Sequence, residues 1–299
     1  MTTPTTKAER QSLARLGPKD RVGIIAGNGR LPVNLAEQLL EIGQNPFVVM
    51  VEGEADLDSI LSTLESETLA MEDIARLMPM LRRHGVTHLV MAGGIRRRPD
   101  WRRMRPSLAL LALLPPLAAA LARGDDGLLS AFVRGLEKRG VHVLGAHEIM
   151  PHLLATEGPM TRERPTSADR RDLDAALKAA RAIGALDIGQ GAVAIGGRVI
   201  AVEGIEGTDG LLARVQELRG HGLLAGRGRG VLVKCAKPGQ ELRADLPTIG
   251  PATVDTAHAA GLAGIGVEAD RSLVLDFAAM VERANRLGLF VVGLPKDAA

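Results

Sequence analysis

Short apolar runs alternate along this chain with longer stretches whose apolar residues recur every three or four positions, a pattern that predicts strands separated by helices. Residues 22–26 read as a strand, Gly27-Asn28-Gly29 as a tight turn, and 31–42 as a helix with Pro32 in its first turn. A second strand is expected over 47–51, a helix over 71–84, and a third strand over 86–92 that ends at Gly93-Gly94. Residues 108–121 are almost wholly apolar, but Pro115-Pro116 interrupts them, and 14 residues fall short of the roughly 20 that a membrane crossing requires. A helix over 128–138 and a strand over 141–144 complete a first domain, 1–149, whose sequential crossovers imply a mostly parallel sheet.

Periodicity lapses over 150–166, a proline-bearing stretch that reads as a linker, and a second domain follows over 167–299. It begins with an amphipathic helix over 170–183, carried by Leu173, Leu177, Ala180 and Ile183. Strands over 192–195 and 199–202 flank Gly196-Gly197, the signature of a hairpin with a two-residue primed turn. Thr208 or Asp209 stands where a helix cap belongs ahead of 211–218. Strands over 231–235, 265–268 and 289–292 alternate with helices over 254–260 and 276–287, so the second domain is α/β with a partly antiparallel start. The fold class expected is α/β, a Rossmann-like parallel-sheet domain joined by a linker to a second α/β domain.

Composition narrows the function classes. Four Phe, one Trp and no Tyr in 299 residues leave few rings on which bases could stack, which argues against a nucleic-acid partner. The net charge of +2, from 37 basic and 35 acidic residues, makes any basic field local. Cys235 stands alone, excluding an internal disulfide and a thiolate metal cluster within one chain. Residues 1–20 lack a sustained apolar core, so they read as neither a secretory signal nor a membrane span, and a cytoplasmic location is expected.

Several stretches carry candidate chemistry. Gly27-Asn28-Gly29-Arg30, between a strand and a helix, offers backbone amides to a phosphate, but Pro32 breaks the dinucleotide fingerprint that Gly27, Gly29 and Glu52 otherwise imitate. Gly93-Gly94 should lie on the same sheet edge. Arg96, Arg97, Arg98, Arg102, Arg103 and Arg105, interleaved with Trp101, precede the apolar run and suit a membrane surface or acyl chains, although a solvated loop before a core helix would read the same way. Asp125-Asp126 and Glu206-Gly207-Thr208-Asp209 could hold a divalent ion against a phosphate or simply start helices. The densest polar stretch, 234–245, brings Lys234, Lys237 and Arg243, suited to neutralising a pyrophosphate, together with Asp245, which could bind metal or orient water. No His-Glu-x-x-His, Gly-x-Ser-x-Gly or Walker motif is present, so zinc hydrolysis, a serine triad and P-loop chemistry lose support.

Taken together, residues 23–32, 92–95, 206–209, 231–240 and 243–250 resemble the LpxI-type UDP-2,3-diacylglucosamine pyrophosphatases of lipid A synthesis. The resemblance runs from about Val22 to Val292 and is most specific over 231–250. It implies magnesium-dependent hydrolysis of UDP-2,3-diacylglucosamine to UMP and 2,3-diacylglucosamine 1-phosphate (lipid X), at the inner membrane face and without a membrane span. A nucleotide-binding domain would precede a lipid-product-binding one, and a homodimer is compatible with these features. The substrate-binding residues it implies are Gly27, Asn28, Gly29, Arg30, Leu31, Gly93, Gly94, Gly207, Thr208, Lys237, Gln240, Arg243 and Thr248. Read from the residues themselves, the catalytic candidates are Asp125, Asp126, Asp209, Lys234 and Asp245, with Asp125, Asp126 and Asp245 as metal ligands. Ala225, ahead of Gly226-Arg227, stands where the family pattern carries an acidic residue, so the position is counted as one that needs an acid and the chain as a candidate impaired variant. A nicotinamide-dependent oxidoreductase and a non-catalytic nucleotide-sugar-lipid binding protein stay open as alternatives.

Overall fold

The computed structural model describes residues 16–17, 19–95, 97, 124–224 and 228–296 and, for 124–126, the backbone alone. The chain forms two compact units, Met1–His152 with Glu241–Asp245 and Leu153–Gln240 with Leu246–Ala299.

In the first unit β1 (Val22–Ala26), β2 (Phe47–Val51), β3 (Ser66–Leu69), β4 (His88–Ala92) and β5 (His142–Leu144) make one sheet in the order β3-β2-β1-β4-β5, with every neighbouring pair parallel. Strands β1 and β2 are buried almost throughout, as expected where helices cover both faces of a parallel sheet. Helix α1 (Leu31–Glu41) buries Leu35, Ala36 and Leu39 and takes Pro32 in its first turn, where the missing N–H costs nothing. Leu77, Met80 and Leu81 of α2 (Leu77–Arg83) and Val133 and Leu136 of α3 (Gly124–Glu137) pack with Phe47, Val49 and Leu89 in one core. Strand order reverses between β1 and β4, so their carboxyl ends form the crevice where open α/β sheets receive ligands.

The single helix expected over 71–84 is a 3₁₀ stretch, Met71–Arg76, followed by α2, with a kink at Asp73 (φ −100°, ψ 21°). Pro79 is the reason: without an N–H it cannot bond the carbonyl four residues back, so it is accommodated only in a first turn. Strand β3, read as no element at all, escaped notice because its Ser-Glu-Thr-Leu sequence has a single buried residue at the sheet edge.

After the four-residue helix α4 (Ala146–Ile149), the second unit contains β6 (Gly158–Pro159), α5 (Ser167–Ala185), β7 (Gly191–Ile195), β8 (Arg198–Val202), α6 (Gly207–Gly220) and β9 (Gly230–Lys234). It continues with β10 (Thr248–Ile249), α7 (Pro251–Ala259), β11 (Leu262–Glu268), β12 (Leu273–Val274), α8 (Phe277–Leu287) and β13 (Phe290–Leu294). The main sheet runs β6-β13-β11-β9-β7-β8, with β9, β11 and β13 parallel and β7 antiparallel to both its neighbours, as the partly antiparallel start implied. Gly196 and Gly197 both have positive φ (64° and 77°), the geometry of the predicted primed turn. Helix α5 packs Leu173, Ala176, Leu177 and Ala180 on one face of the sheet against Val231, Val233 and Cys235. Leu211, Leu212 and Val215 of α6, with Val254 and Met280, cover the other face over Val193, Leu232, Ile265 and Val267. Because side chains alternate along a strand, Lys234 shares the α6 face with Leu232, whereas Glu268 shares the α5 face with Cys235. Among the described residues no helix is long and apolar enough to cross a membrane.

Candidate functional site

At the carboxyl ends of β1 and β4 the two glycine turns lock onto each other. The Gly27 amide donates to the Ala92 carbonyl (2.8 Å), Asn28 N–H to the Gly94 carbonyl (2.8 Å) and Gly94 N–H back to the Asn28 carbonyl (3.2 Å). The approach is so close that a Cβ on Gly27 would lie 2.4 Å from the Gly94 carbonyl oxygen. One on Gly93, whose φ is +84°, would lie 2.4 Å from the Asn28 oxygen. These glycines are therefore demanded by packing, and the turn they build delivers Gly29, Arg30 and Leu31 to the start of α1. The cap residue Arg30 makes no side-chain capping bond, which leaves the first amides of α1 available to an anion.

Glu54, two residues beyond the Glu52 noted in the sequence, organises the same edge. Asn28 Nδ2 donates to its Oε2 (3.0 Å) and the Arg97 amide to its Oε1 (2.8 Å), while the Arg97 guanidinium grips Glu72 at 2.6 and 2.9 Å. Glu54 follows the β2 end after Glu52 and Gly53, in a turn whose sequence gives no sign of which carboxylate points inward.

Also within the first unit, the Arg243 guanidinium is held by Glu241 (2.8 and 2.9 Å) and Glu137 (2.5 Å). These carboxylates push its pKa upward, Glu241 first, and offset the charge that the sequence offered to a pyrophosphate. Asp245 ends this short segment.

The second unit gathers its polar groups at the carboxyl edge of the parallel strands. Lys234, at the end of β9 and only 5% exposed, donates from Nζ to the Thr248 carbonyl at 3.0 Å. Glu203, just past β8 and 6% exposed, accepts a hydrogen bond from Thr208 Oγ1 at 3.2 Å. Burial pushes the Glu203 carboxyl above the usual carboxylate range; Lys234 opposes most, then the Thr208 hydroxyl and Lys237, while Glu206 adds to the rise. Helix α6 starts at Gly207 with Glu206 as its cap residue, so Thr208 and Asp209 occupy the first turn and neither caps the helix as expected. Thr208 instead turns its hydroxyl to the buried carboxylate, while Asp209 faces solvent, where the helix dipole favours an acid. In the loop after β9 the Lys237 amide donates to Gln240 Oε1 (2.9 Å) and Lys237 Nζ to Asp187 (2.6 Å).

Of the residues singled out from the sequence, the structure thus brings together Gly27, Asn28, Gly29, Arg30, Leu31, Gly93 and Gly94 in one unit, and Gly207, Thr208, Lys234 and Thr248 in the other, with Lys237 bonded to Gln240. Glu203 was missed, since a single Glu after a strand carries no spacing signal. Such a constellation can neutralise phosphate oxygens through an ammonium, a hydroxyl and helix-start amides, and can hold a proton on a buried carboxyl. A cleft of about 390 Å³ lies across the sheet, walled by Leu173, Leu177, Val292 and Leu294 with Arg164 and Arg170 among its lining. Being on the α5 face, it does not complete the constellation around Lys234.

The side chains of Asp125 and Asp126, the residue Ala225, and the arginine and apolar runs of 98–121 lie outside the described residues. Among the described residues no three His, Cys, Asp or Glu side chains gather as a metal site.

The sequence profile of the LpxI N-terminal domain matches residues 21–153 and that of the LpxI C-terminal domain residues 156–292. A UDP-2,3-diacylglucosamine pyrophosphatase LpxI of Caulobacter vibrioides is 41% identical over 278 residues, covering 92% of this chain and 97% of its own.

Proposed function

From the premise that the chain belongs to the LpxI family, matched in both of its domains, we propose that it cleaves the pyrophosphate of UDP-2,3-diacylglucosamine with water, releasing UMP and 2,3-diacylglucosamine 1-phosphate. The observation that carries this reading is the 41% identity along nearly the whole of a relative bearing that activity in its name. The two carboxyl edges support it chemically. In the first unit, backbone amides at the start of α1, presented by the interlocked turns, suit the nucleotide phosphate. In the second, Lys234, Thr208 and the amides opening α6 suit the phosphates around the scissile bond, where charge neutralisation does most of the work of phosphoryl transfer.

Magnesium dependence belongs to the same reading. A divalent ion would offset pyrophosphate charge, and acidic residues at 125, 126 and 245 are the candidates to hold it. So does work at the inner membrane surface as a peripheral protein, supported by the arginine-rich run before the apolar segment in the sequence and by a diacylated substrate.

The test is product analysis on the purified protein with UDP-2,3-diacylglucosamine, with magnesium and after chelation, beside Ala225→Asp. Magnesium-dependent release of UMP is expected. Binding of the substrate with no UMP from either protein would replace hydrolysis by a binding role. UMP release unaffected by chelation would remove the metal, and an Ala225→Asp variant no faster than the parent would remove the idea that position 225 needs an acid.

A further inference from the structure

Hydrolysis by water needs a group to take the proton that the water sheds as it attacks. We propose that Glu203 is that proton acceptor, an assignment that rests on the pyrophosphatase reading. In the step, the water oxygen forms a bond to phosphorus while the bridging P–O bond breaks. The electron pair of that bond leaves with the departing phosphate, and one water proton passes to a Glu203 carboxylate oxygen and from there to solvent.

Space has been cleared for this side chain. Where Glu203 passes β7, a Cβ on Gly191 would lie 2.4 Å from its Oε2 and one on Gly189 would lie 2.2 Å from its carbonyl oxygen. Its backbone is pinned by donation of its N–H to the Gly191 carbonyl (2.8 Å), so the carboxyl has a set position on the α6 face. Among the described residues its side-chain hydrogen bond, from Thr208, engages Oε2, leaving Oε1 to accept from a water. The charged groups facing it come from three elements: Lys234 from β9, Lys237 from the loop beyond, and Glu206 from the turn before α6.

The cations would anchor phosphate oxygens beside the base, which brings nucleophile and electrophile into one place. Burial, reinforced by Glu206, outweighs Lys234 and Lys237 and makes the carboxyl a stronger base than an ordinary glutamate. Within this constellation Asp209 is exposed, and Thr208 is no base at neutral pH. A merely structural Glu203, present to balance Lys234, would be replaceable by the isosteric amide without consequence for the chemical step.

The experiment follows UMP release from UDP-2,3-diacylglucosamine against pH for the full-length protein, Glu203→Gln and Glu203→Asp, with circular dichroism to verify folding. A difference-infrared titration of the wild-type carboxyl against Glu203→Gln runs alongside. Glu203→Gln should lower kcat on the order of 10²- to 10⁴-fold, the usual worth of a general base, with KM changed by less than about threefold. The wild-type kcat should rise with pH along a limb centred above the ordinary glutamate value of about 4.3 and coincident with the infrared titration. A folded Glu203→Gln with kcat within about threefold of wild type overturns the assignment while leaving the pyrophosphatase reading intact. Should that variant not fold, Glu203→Asp and the wild-type limb decide: a limb in the ordinary carboxylate range, or none, overturns it. A wild type that releases no UMP removes the pyrophosphatase reading, and the role of Glu203 falls with it.

Discussion

At the carboxyl edge of the first sheet the chain is held by glycines against carbonyl oxygens, whereas the second edge is held by buried charge, with Lys234, Glu203 and Glu268 each at least nine-tenths buried. Backbone contacts do not titrate and tolerate almost no added atom. Buried charges tolerate isosteric exchange but respond to pH and to loss of a partner. The first edge is thus suited to holding a ligand by shape, and the second to moving protons and neutralising charge.

The largest effect expected is from Gly93→Ala, which would combine a left-handed backbone with a Cβ 2.4 Å from the Asn28 carbonyl oxygen. Each contribution is worth roughly 1–3 kcal/mol, so urea unfolding of the variant should show a loss of about 3 kcal/mol or more. A loss under about 1 kcal/mol would mean that the turns separate easily and the contrast between the edges is false. In the second unit, Glu268→Ala removes a carboxylate that accepts from Arg181 (3.2 Å) and the Ala236 amide (3.3 Å). Arg181 is partly exposed, so we expect about 2 kcal/mol, less than for a fully buried pair, and Glu268→Gln should recover part of it. Away from either edge, Thr166 caps α5 through a box in which Asp169 N–H donates to its Oγ1 (3.2 Å) and its own amide donates to Asp169 (2.9 Å). Thr166→Ala should cost about 1 kcal/mol in thermal unfolding.

The smallest effects separate the units by the sign of their pH dependence. At the far end of the first sheet, His84 sits between Glu65 and Glu67, each at 2.6 Å, stacked on Phe47 with ring centroids 4.0 Å apart. Arg21 lowers the Glu65 pKa most and Arg83 that of Glu67, with His84 second in each case. Carboxyls lowered by folding add stability above their ordinary value of about 4.3, and that stability is lost as pH falls through the lowered values. Glu203 has the opposite sign: its raised pKa favours the fold at low pH, and that contribution is lost as pH rises through the raised value. Glu203→Gln should therefore equal or slightly exceed wild type in melting temperature at neutral pH, and His84→Leu should flatten the acid limb of stability. A Glu203→Gln protein clearly less stable at neutral pH would show that the attraction of the Lys234 charge outweighs burial.

Strands buried on both faces were legible because unbroken apolar runs such as 22–26 and 47–51 have few other uses, and the hairpin at Gly196-Gly197 because two adjacent positive φ values call for glycine. The kink at Asp73 and strand β3 were not legible: the first depends on where Pro79 forces a helix to begin, and the second on a neighbouring strand that supplies the pairing. In the sites, Gly27, Gly93 and Lys234 announced themselves through composition at strand ends. Glu203 and Glu54 did not, because an isolated glutamate reads as solvated until its surroundings are known.

By itself the sequence determined the α/β alternation, the glycine turns at strand ends and membership in a family that spans both domains, since each is written in local order along the chain. Only the tertiary structure decided that Arg243 spends its charge on Glu241 and Glu137, that Thr208 turns to Glu203, and that Glu203 lies buried beside Lys234. Those facts depend on what a side chain meets at separations from 2 to 106 residues of sequence, and burial, which sets the strength of a charge, is a property of the assembled surroundings.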